Sequence, residues 1–344
     1  MKVAVLLGGT SAERDVSIAS GIAVARACQS RGHDVVAIDC AYGDREIDFM
    51  NTDPGQVVQI APSNLAASRQ ELDRNILQTV DVLLDRQTEV VFNALHGGYG
   101  ENGQLQGLLD MVGIAYTGSG AAASAVGMDK HLSKLIFKES GVMTAPWIQL
   151  EDPDGVDPEA VAAIGFPLVV KPNAQGSTVG LTIVRNAGEL SAAIAHAFQF
   201  DSRILVEQFI PGRELTVSVL GGEALPVIEI VPHSGFYDYE SKYQKGKTEY
   251  RVPAVLGEDL TRAIQSAGRR AYRVLGCRGY ARVDFRLDEG GHFWCLELNT
   301  LPGMTGTSLV PKAAKAKGID FPELVERILR YAVGTPEGTS SLIR

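Results

Sequence analysis

Apolar and polar residues along this chain fall into blocks whose period keeps changing. Lys2–Leu7 is an almost unbroken apolar run closed by Gly8-Gly9, the pattern of a buried strand. A helical spacing follows to about Gln29, Arg31-Gly32 interrupts it, and Asp34–Asp39 reads as a strand again. This predicts a β-α-β start, whose right-handed crossover implies a parallel sheet. From about Tyr42 to Asp85 the chain is polar and weakly periodic until a helix expected from Ser68 onward. Glu89–Leu95 is another buried-strand run, ending at H-G-G-Y-G-E-N-G, with a helix from about Gln104. Ligands of open α/β sheets gather at the carboxyl ends of strands. Glu13 and His96 both lie just past such ends, which marks that rim as a site.

A second unit begins near Ala122. The spacing predicts a helix over Met128–Ser140, a strand at Trp147–Leu150 and a helix at Pro158–Ile164. Strands at Leu168–Lys171 and Leu181–Val184, a helix at Ala187–Phe200 and a strand at Ile204–Glu207 follow. Pro211-Gly212 opens a third unit, with strands at Glu214–Leu220 and Ala224–Ile230, a long polar loop and a helix from about Glu258 to Leu275. A hairpin comes next, and helices at about Leu309–Lys317 and Phe321–Tyr331 close the pattern.

At 344 residues the chain exceeds what one core usually organises, so two or three domains are expected. Its composition, 45% apolar and 21% charged, is that of an ordinary globular protein. A formal net charge of −9 argues against a nucleic-acid binder, which would carry a basic stripe. The first ten residues have too short an apolar core for a secretory signal, and no stretch approaches the roughly 18 apolar residues of a membrane span. Cys28, Cys40, Cys277 and Cys295 show no C-x-x-C spacing, so reduced, packed thiols are expected rather than a zinc site or disulfides. A cytoplasmic protein is the expectation.

The chemistry concentrates in Arg282–Gly303, R-V-D-F-R-L-D-E-G-G-H-F-W-C-L-E-L-N-T-L-P-G. Gly290-Gly291 between alternating segments predicts a two-residue hairpin turn. A turn centred there sets Asp284 opposite Glu297 and Arg282 opposite Asn299, all four on one face, with Leu296 and Leu298 on the other. Like charges directly across a ladder destabilise it, so something cationic should sit between the carboxylates. Asp284, Glu297 and the Asn299 amide oxygen make a hard, all-oxygen set of the kind Mg²⁺ takes alongside substrate phosphates.

Lys171-Pro172 ends an apolar strand and leads into N-A-Q-G-S-T-V-G, where Gly176 and Gly180 allow a turn whose amides can approach an anion. Lys130, in G-M-D-K, supplies a second positive charge near a helix start. K-G-K-T at 245–248 resembles the end of a phosphate-binding P-loop, but the glycine that pattern needs is Ser241. Y-D-Y-E-S-K-Y (237–243) is an aromatic, charged loop able to cover a site or merely to anchor itself. E-Q-F-I-P-G-R-E (207–214) looks like a connector between subdomains, or the edge of an adenine slot.

Together these segments resemble the ATP-grasp carboxylate–amine ligases, and within them the D-alanine–D-alanine ligase family. The resemblance runs in order through L-L-G-G-T-S-A-E-R-D-V-S (6–17), L-H-G-G-Y-G-E-N-G (95–103), G-M-D-K (127–130), V-K-P-N-A-Q-G-S-T-V-G (170–180), Y-D-Y-E-S-K-Y, G-Y-A-R-V-D-F (279–285), L-E-L-N-T-L-P-G-M-T (296–305) and S-L-V-P (308–311). It implies an α/β chain (α+β in the ATP-grasp part) with an N-terminal Rossmann-like parallel-sheet domain over 1–122. A central ATP-grasp subdomain over 123–210, a C-terminal one over 211–335 and a tail at 336–344 would follow.

The resemblance also implies roles. Lys130, Lys171 and the Gly176 loop would bind ATP phosphates, and Glu207, Phe209, Ile210 and Glu214 would hold adenine and ribose, with Lys242 nearby. Asp284, Glu297 and Asn299 would hold two Mg²⁺, replaceable by Mn²⁺, with Glu297 bridging them. Glu13 would bind the ammonium of the first D-alanine, linked to Ser177 and Tyr243. The Ser308 hydroxyl and Leu309 amide would take the second D-alanine's carboxylate, with His96 beside the reacting amine. Arg282 and the Gly303 amide would stabilise the tetrahedral oxyanion. A lid around Ser234–Arg251 would exclude water, and a homodimer is implied.

Some positions depart from the family pattern. Gln208-Phe209 stands where a Lys-Trp pair is familiar, and the stretch over Tyr42–Asp85 is longer than in compact members. The Lys242-Tyr243 pair matches the D-alanine type rather than the D-lactate-tolerant one. Two other readings compete: an ATP-grasp ligase using D-serine or D-lactate second, and a nucleotide-binding regulator without turnover. The intact Arg282, Asp284, Glu297 and Asn299 speak against the regulator.

Overall fold

The computed structural model describes residues 1–54, 69–232 and 248–334. Its first sheet grows from β1 (Lys2–Leu7), α1 (Arg14–Ser30) and β2 (Asp34–Asp39), with β1 and β2 parallel in register Lys2↔Asp34 to Leu7↔Asp39. Then come β3 (Arg45–Glu46), α2 (Arg69–Asp73), α3 (Ile76–Asp85), β4 (Val90–Asn93), α4 (Gln104–Val112) and β5 (Ala115–Tyr116), giving the order β3-β2-β1-β4-β5. Only β3 runs antiparallel. Strand alternation sends Val3, Val5 and Leu7 into a core with α1. Ala4 and Leu6 go to the other face, against Leu83 of α3 and Leu105 and Leu109 of α4.

The helix expected from Ser68 is two helices separated at Arg74-Asn75. The break is functional in packing terms: Asn75 donates to the Ala41 carbonyl (2.7 Å) and Thr79 to the Gly43 carbonyl (2.7 Å). Thr10, in the loop after β1, bonds Asp73. The polar stretch over 42–85 therefore braces the rim where Glu13 and His96 lie, with 55–68 outside the described residues.

α6 (Lys130–Glu139) is the helix expected over Met128–Ser140, and a further helix that the spacing did not predict, α5 (Ala121–Met128), precedes it. Between them stands Asp129, whose carboxylate accepts the Leu132 amide at 2.9 Å and so caps α6. Lys130 thereby enters the first turn of α6. β6 (Trp147–Leu150), α7 (Pro158–Ile164), β7 (Leu168–Pro172), β8 (Thr182–Val184), α8 (Ala187–Ala197) and β9 (Ile204–Gln208) form an antiparallel sheet ordered β6-β9-β7-β8. Leu168, Val170, Val184, Ile204 and Val206 pack toward α7 and α8. Alternation then turns Val169, Lys171 and Glu207 the other way.

The third sheet holds β10 (Arg213–Leu220), β11 (Glu223–Ala224), β12 (Ile228–Pro232), β13 (Thr248–Arg251), β14 (Tyr280–Leu287) and β15 (Phe293–Asn299), in the order β13-β12-β10-β14-β15 with β11 on β10. The strand expected over Ala224–Ile230 is thus two pieces. α9 (Glu258–Val274) covers one face, meeting Leu215, Val217, Val283 and Phe285 through Ile264 and Ala271. The other face presents Glu214, Thr216, Arg282, Asp284 and Glu297. Of the expected lid, 233–247 lies outside the described residues, and Thr248–Arg251 is an edge strand paired to β12. α10 (Leu309–Ala316) and α11 (Phe321–Ala332) return to the first sheet, where Val310, Ala314, Leu324 and Ile328 share its core and His33 pairs with Glu326 at 2.7 Å.

The β14–β15 hairpin keeps the expected pairs Arg282↔Asn299 and Asp284↔Glu297 by a different route. Its turn is longer than two residues, running Asp288–His292 with the Asp288 amide donating to the His292 carbonyl. A bulge after Asp284 then adds a residue to β15, restoring the register. The bulge also turns Leu296 into the cleft beside Glu297, not to the opposite face with Leu298. Cys28, Cys40 and Cys295 are buried and, with half-buried Cys277, all are free thiols. Among the described residues no helix is long and apolar enough to cross a membrane.

Candidate active site

The facing surfaces of the second and third sheets enclose a cleft. Val169, Lys171 and Glu207 line it from one side, Glu214, Ile230, Asp284, Arg286 and Leu296 from the other, and Phe209 and Ile210 from the connector. Its floor and roof are therefore apolar with charges at chosen points, the make-up of a small-molecule site. A second cleft opens between the rim of the first sheet and the third sheet, lined by Glu13, His96, Glu101, Asn299, Gly303 and Ser308. Lys130, Gly176, Ser177, Arg282, Glu297 and Leu309 belong to both. A molecule in one cleft can therefore meet a molecule in the other across these six residues.

The glycine-rich loop after β7 is held at its start by the beginning of α6. The Asn173 carboxamide oxygen accepts the His131 amide (2.8 Å), and the Lys130 ammonium donates to the Gln175 carbonyl (2.7 Å). At its tip Ser177 and Thr178 have φ of +52° and +64°, a left-handed conformation that costs a non-glycine residue of order 1–3 kcal/mol. That conformation delivers the Ser177 hydroxyl to the Glu13 carboxylate, 164 residues away in sequence. Lys130 also lies 3.3 Å from Glu297, so one ammonium links the loop to the hairpin.

On the hairpin, Arg282 grips Asp284 with its fork, Nε to Oδ1 at 2.9 Å and Nη2 to Oδ2 at 2.8 Å. Thr216 donates to the same carboxylate at 2.6 Å. The cations required between facing Asp284 and Glu297 are thus Arg282 and Lys130. Asn299 accepts the Leu301 amide through Oδ1 (2.8 Å), which shapes the loop leading to Gly303. Ser308 caps that loop from the start of α10, accepting the Thr305 amide at 3.0 Å. The Leu309 amide then stands in the first turn of α10, where a helix favours an anion.

Charges in the walls are strongly coupled. Burial pushes the Glu207 carboxyl up, but Lys134 (3.0 Å) and Lys171 (2.5 Å) outweigh it and hold the group below the usual carboxylate range. Burial lowers the Lys134 ammonium, and Glu207 opposes that shift. Glu101 is pushed up to about 7, first by burial and then by the Glu13 charge, against the Gly97 amide that it accepts at 2.8 Å. Burial also lowers His96, despite Glu13 and the Leu301 carbonyl. Neutral His96 donates from Nδ1 to the Leu301 carbonyl (3.1 Å) and accepts the Ser20 hydroxyl at Nε2 (3.2 Å). Ser20 in turn accepts the Met304 amide (3.2 Å).

All the described candidates meet at the two clefts: Glu13, His96, Lys130, Lys171, Gly176, Ser177, Glu207, Phe209, Ile210, Glu214, Arg282, Asp284, Glu297, Asn299, Gly303, Ser308 and Leu309. Lys242 and Tyr243 lie outside the described residues. Glu101, Ser20 and Lys134 escaped the sequence reading. Glu101 sits inside H-G-G-Y-G-E-N-G, and its place five residues after His96 was the available signal. Nothing local marks Ser20 or Lys134, whose roles depend on residues distant in the chain.

Two family models match the chain: "D-ala D-ala ligase N-terminus" over residues 2–119 and "D-ala D-ala ligase C-terminus" over residues 136–330. A D-alanine–D-alanine ligase of Geobacter sulfurreducens is 45% identical over 329 residues, covering 95% of this chain and 93% of the relative. That of Moorella thermoacetica is 41% identical, covering 97% and 99%. The crystal structure of the Bacillus anthracis D-alanine–D-alanine ligase complexed with ATP superposes with a TM-score of 0.76 at 30% identity, covering 98% of this chain and 99% of that one.

Proposed function

The chain belongs to the D-alanine–D-alanine ligase family and joins two D-alanines with ATP, and from that premise we propose how its residues divide the work. The reaction passes through D-alanyl phosphate, releases ADP and phosphate, and serves peptidoglycan precursor synthesis. ATP occupies the cleft between the second and third sheets. Adenine and ribose lie against Glu207, Phe209, Ile210 and Glu214, with Lys242 nearby, and the phosphates meet Lys130, Lys171 and the Gly176 loop. The D-alanines occupy the second cleft. Glu13, tied to Ser177 and Tyr243, takes the first ammonium, while Ser308 and the Leu309 amide take the second carboxylate. The observation that carries this assignment is the Glu13–Ser177 bond across the shared wall, which joins the amino-acid cleft to the loop of the phosphate cleft.

Asp284, Glu297 and Asn299 would hold two Mg²⁺, or Mn²⁺ in their place. Asp284 and Glu297 face each other across the ladder, and Asn299 adds a hard amide oxygen. When bound, such ions neutralise phosphate charge.

The first D-alanine carboxylate attacks the γ-phosphorus in line and ADP departs, with Lys130 and Lys171 holding the charge that moves. The second D-alanine, its amine unprotonated, attacks the acyl carbon. Arg282 and the Gly303 amide receive the oxyanion, and phosphate leaves. His96, with both ring nitrogens engaged, holds loop 301–304 beside the reacting amine. A lid at 234–247, ahead of the edge strand Thr248–Arg251, would keep water from the acyl phosphate. Division at 1–122, 123–210 and 211–335, a cytoplasmic setting with its ATP supply, and a homodimer complete the proposal; sedimentation tests the dimer.

The test is phosphate release with ATP and Mg²⁺, offering D-alanine, D-serine and D-lactate alone and paired, with products identified by mass. D-alanine alone should yield the dipeptide. Turnover confined to a mixed pair would overturn the assignment of the second subsite.

A further inference from the structure

The roles above use Lys130 and Lys171 and leave Lys134 idle. Lys134 lies one helical turn beyond Lys130 on α6, is only 1% exposed and lines neither cleft. Its ammonium donates to Thr144 (2.7 Å), stands 3.0 Å from Glu207 Oε2 and sits 5.0 Å from the centre of the Trp147 ring. Thr144 donates onward to the Cys295 carbonyl of β15 at 2.9 Å. Burying an ammonium is costly, and an apolar side chain would fill this position with less penalty.

What the charge does follows from the other side of Glu207. Oε1 takes the Lys171 ammonium at 2.5 Å, and Lys171 is one of the cations that face the nucleotide cleft. With Glu207 alone, Lys171 would form a neutral pair, its field largely cancelled where phosphates arrive. With Lys134 on Oε2, the buried cluster of two ammoniums and one carboxylate carries a net charge of about +1 at neutral pH. We propose that Lys134 is a positioning residue: it offsets Glu207 and so leaves the charge of Lys171 available to the nucleotide phosphates. The proposal rests on the placement of those phosphates at Lys171.

The experiment compares ATP with adenosine, which lacks phosphates, by calorimetry on the full-length enzyme with Mg²⁺. The ratio of the two affinities reads the phosphate subsite alone. In Lys134→Met the ratio should fall about tenfold, the effect of one buried unit charge roughly two residues away. Adenosine affinity and the KM for D-alanine should hold. Lys134→Met/Glu207→Gln, with the original net charge, should regain the ratio. If Lys134→Met does not fold, the same difference is read between Glu207→Gln and the double variant. An unchanged ratio, or equal losses for ATP and adenosine, would overturn the proposal in favour of a packing role. Lys171→Met separates the two levels. If it leaves the ratio intact, the phosphate placement falls and this inference with it. If it lowers the ratio while Lys134→Met does not, the inference alone falls.

Discussion

Replacing Arg282 with alanine should slow turnover about a hundredfold to a thousandfold, the usual cost of removing one donor from an oxyanion site, or about 3–4 kcal/mol. The structure supports that size because the guanidinium is oriented before substrate arrives. Nε and Nη2 are committed to Asp284, itself held by Thr216, so the remaining edge of the fork has a fixed direction. The ammoniums of Lys130 and Lys171 are untouched by the change, so the KM for ATP should move less than about fivefold, a shift of about 1 kcal/mol. Arg282→Lys keeps the charge but loses the fork, and should fall between the two. The assay is phosphate release at saturating ATP and D-alanine. Turnover of Arg282→Ala within about threefold of the parent, well under 1 kcal/mol, would refute the reasoning and remove Arg282 from the chemical step.

Other expectations follow from the same geometry. Ser177→Ala loses the bond to Glu13 and should raise the KM for D-alanine about tenfold or more, a hydrogen bond to a charged group being worth about 1.5–3 kcal/mol, while the KM for ATP stays put. Glu101 has a folded pKa near 7 against an ordinary 4.5, so it contributes stability below about pH 4.5 that is lost as pH rises through about 7. Urea midpoints should show the parent losing about 3 kcal/mol relative to Glu101→Gln across that window, and parallel curves would exclude the effect. Gly212→Ala should destabilise by more than about 2 kcal/mol, because φ is +125° and the new Cβ would lie 2.1 Å from the Leu287 carbonyl oxygen. An unaltered melting temperature would show that the connector can shift to accept it.

Most strands and helices were legible because their periods are clean, and the site was legible because its motifs occur in order. The gaps have physical causes. The hairpin register was right although its turn was misjudged, since the longer turn and the bulge each shift pairing by one residue and cancel. The bulge itself leaves no signature in L-E-L-N, so Leu296 was assigned to the wrong face. The helix over Ala121–Met128 was missed because A-A-A-S-A-V-G-M carries no apolar–polar period, whereas the helix after Asp129 was read to within two residues of its bounds. Glu101 and Lys134 look like ordinary charged residues until tertiary burial is known. Ser20 joins His96 to Met304 across 284 residues of sequence, beyond any local pattern.

The last two helices give the molecule an order of completion. Every described strand of the three sheets has been made once the chain reaches Asn299, yet one face of the first sheet still lacks Val310, Ala314, Leu324 and Ile328. During synthesis the amino-acid rim therefore stays unsealed after the nucleotide cleft has all its strands, and α11 must travel back to α1 to close it. A nascent or truncated chain ending before Leu309 should expose the first sheet to protease while the second and third resist. The arrival of Leu309–Ala332 thus decides when ATP and D-alanine can first be held together.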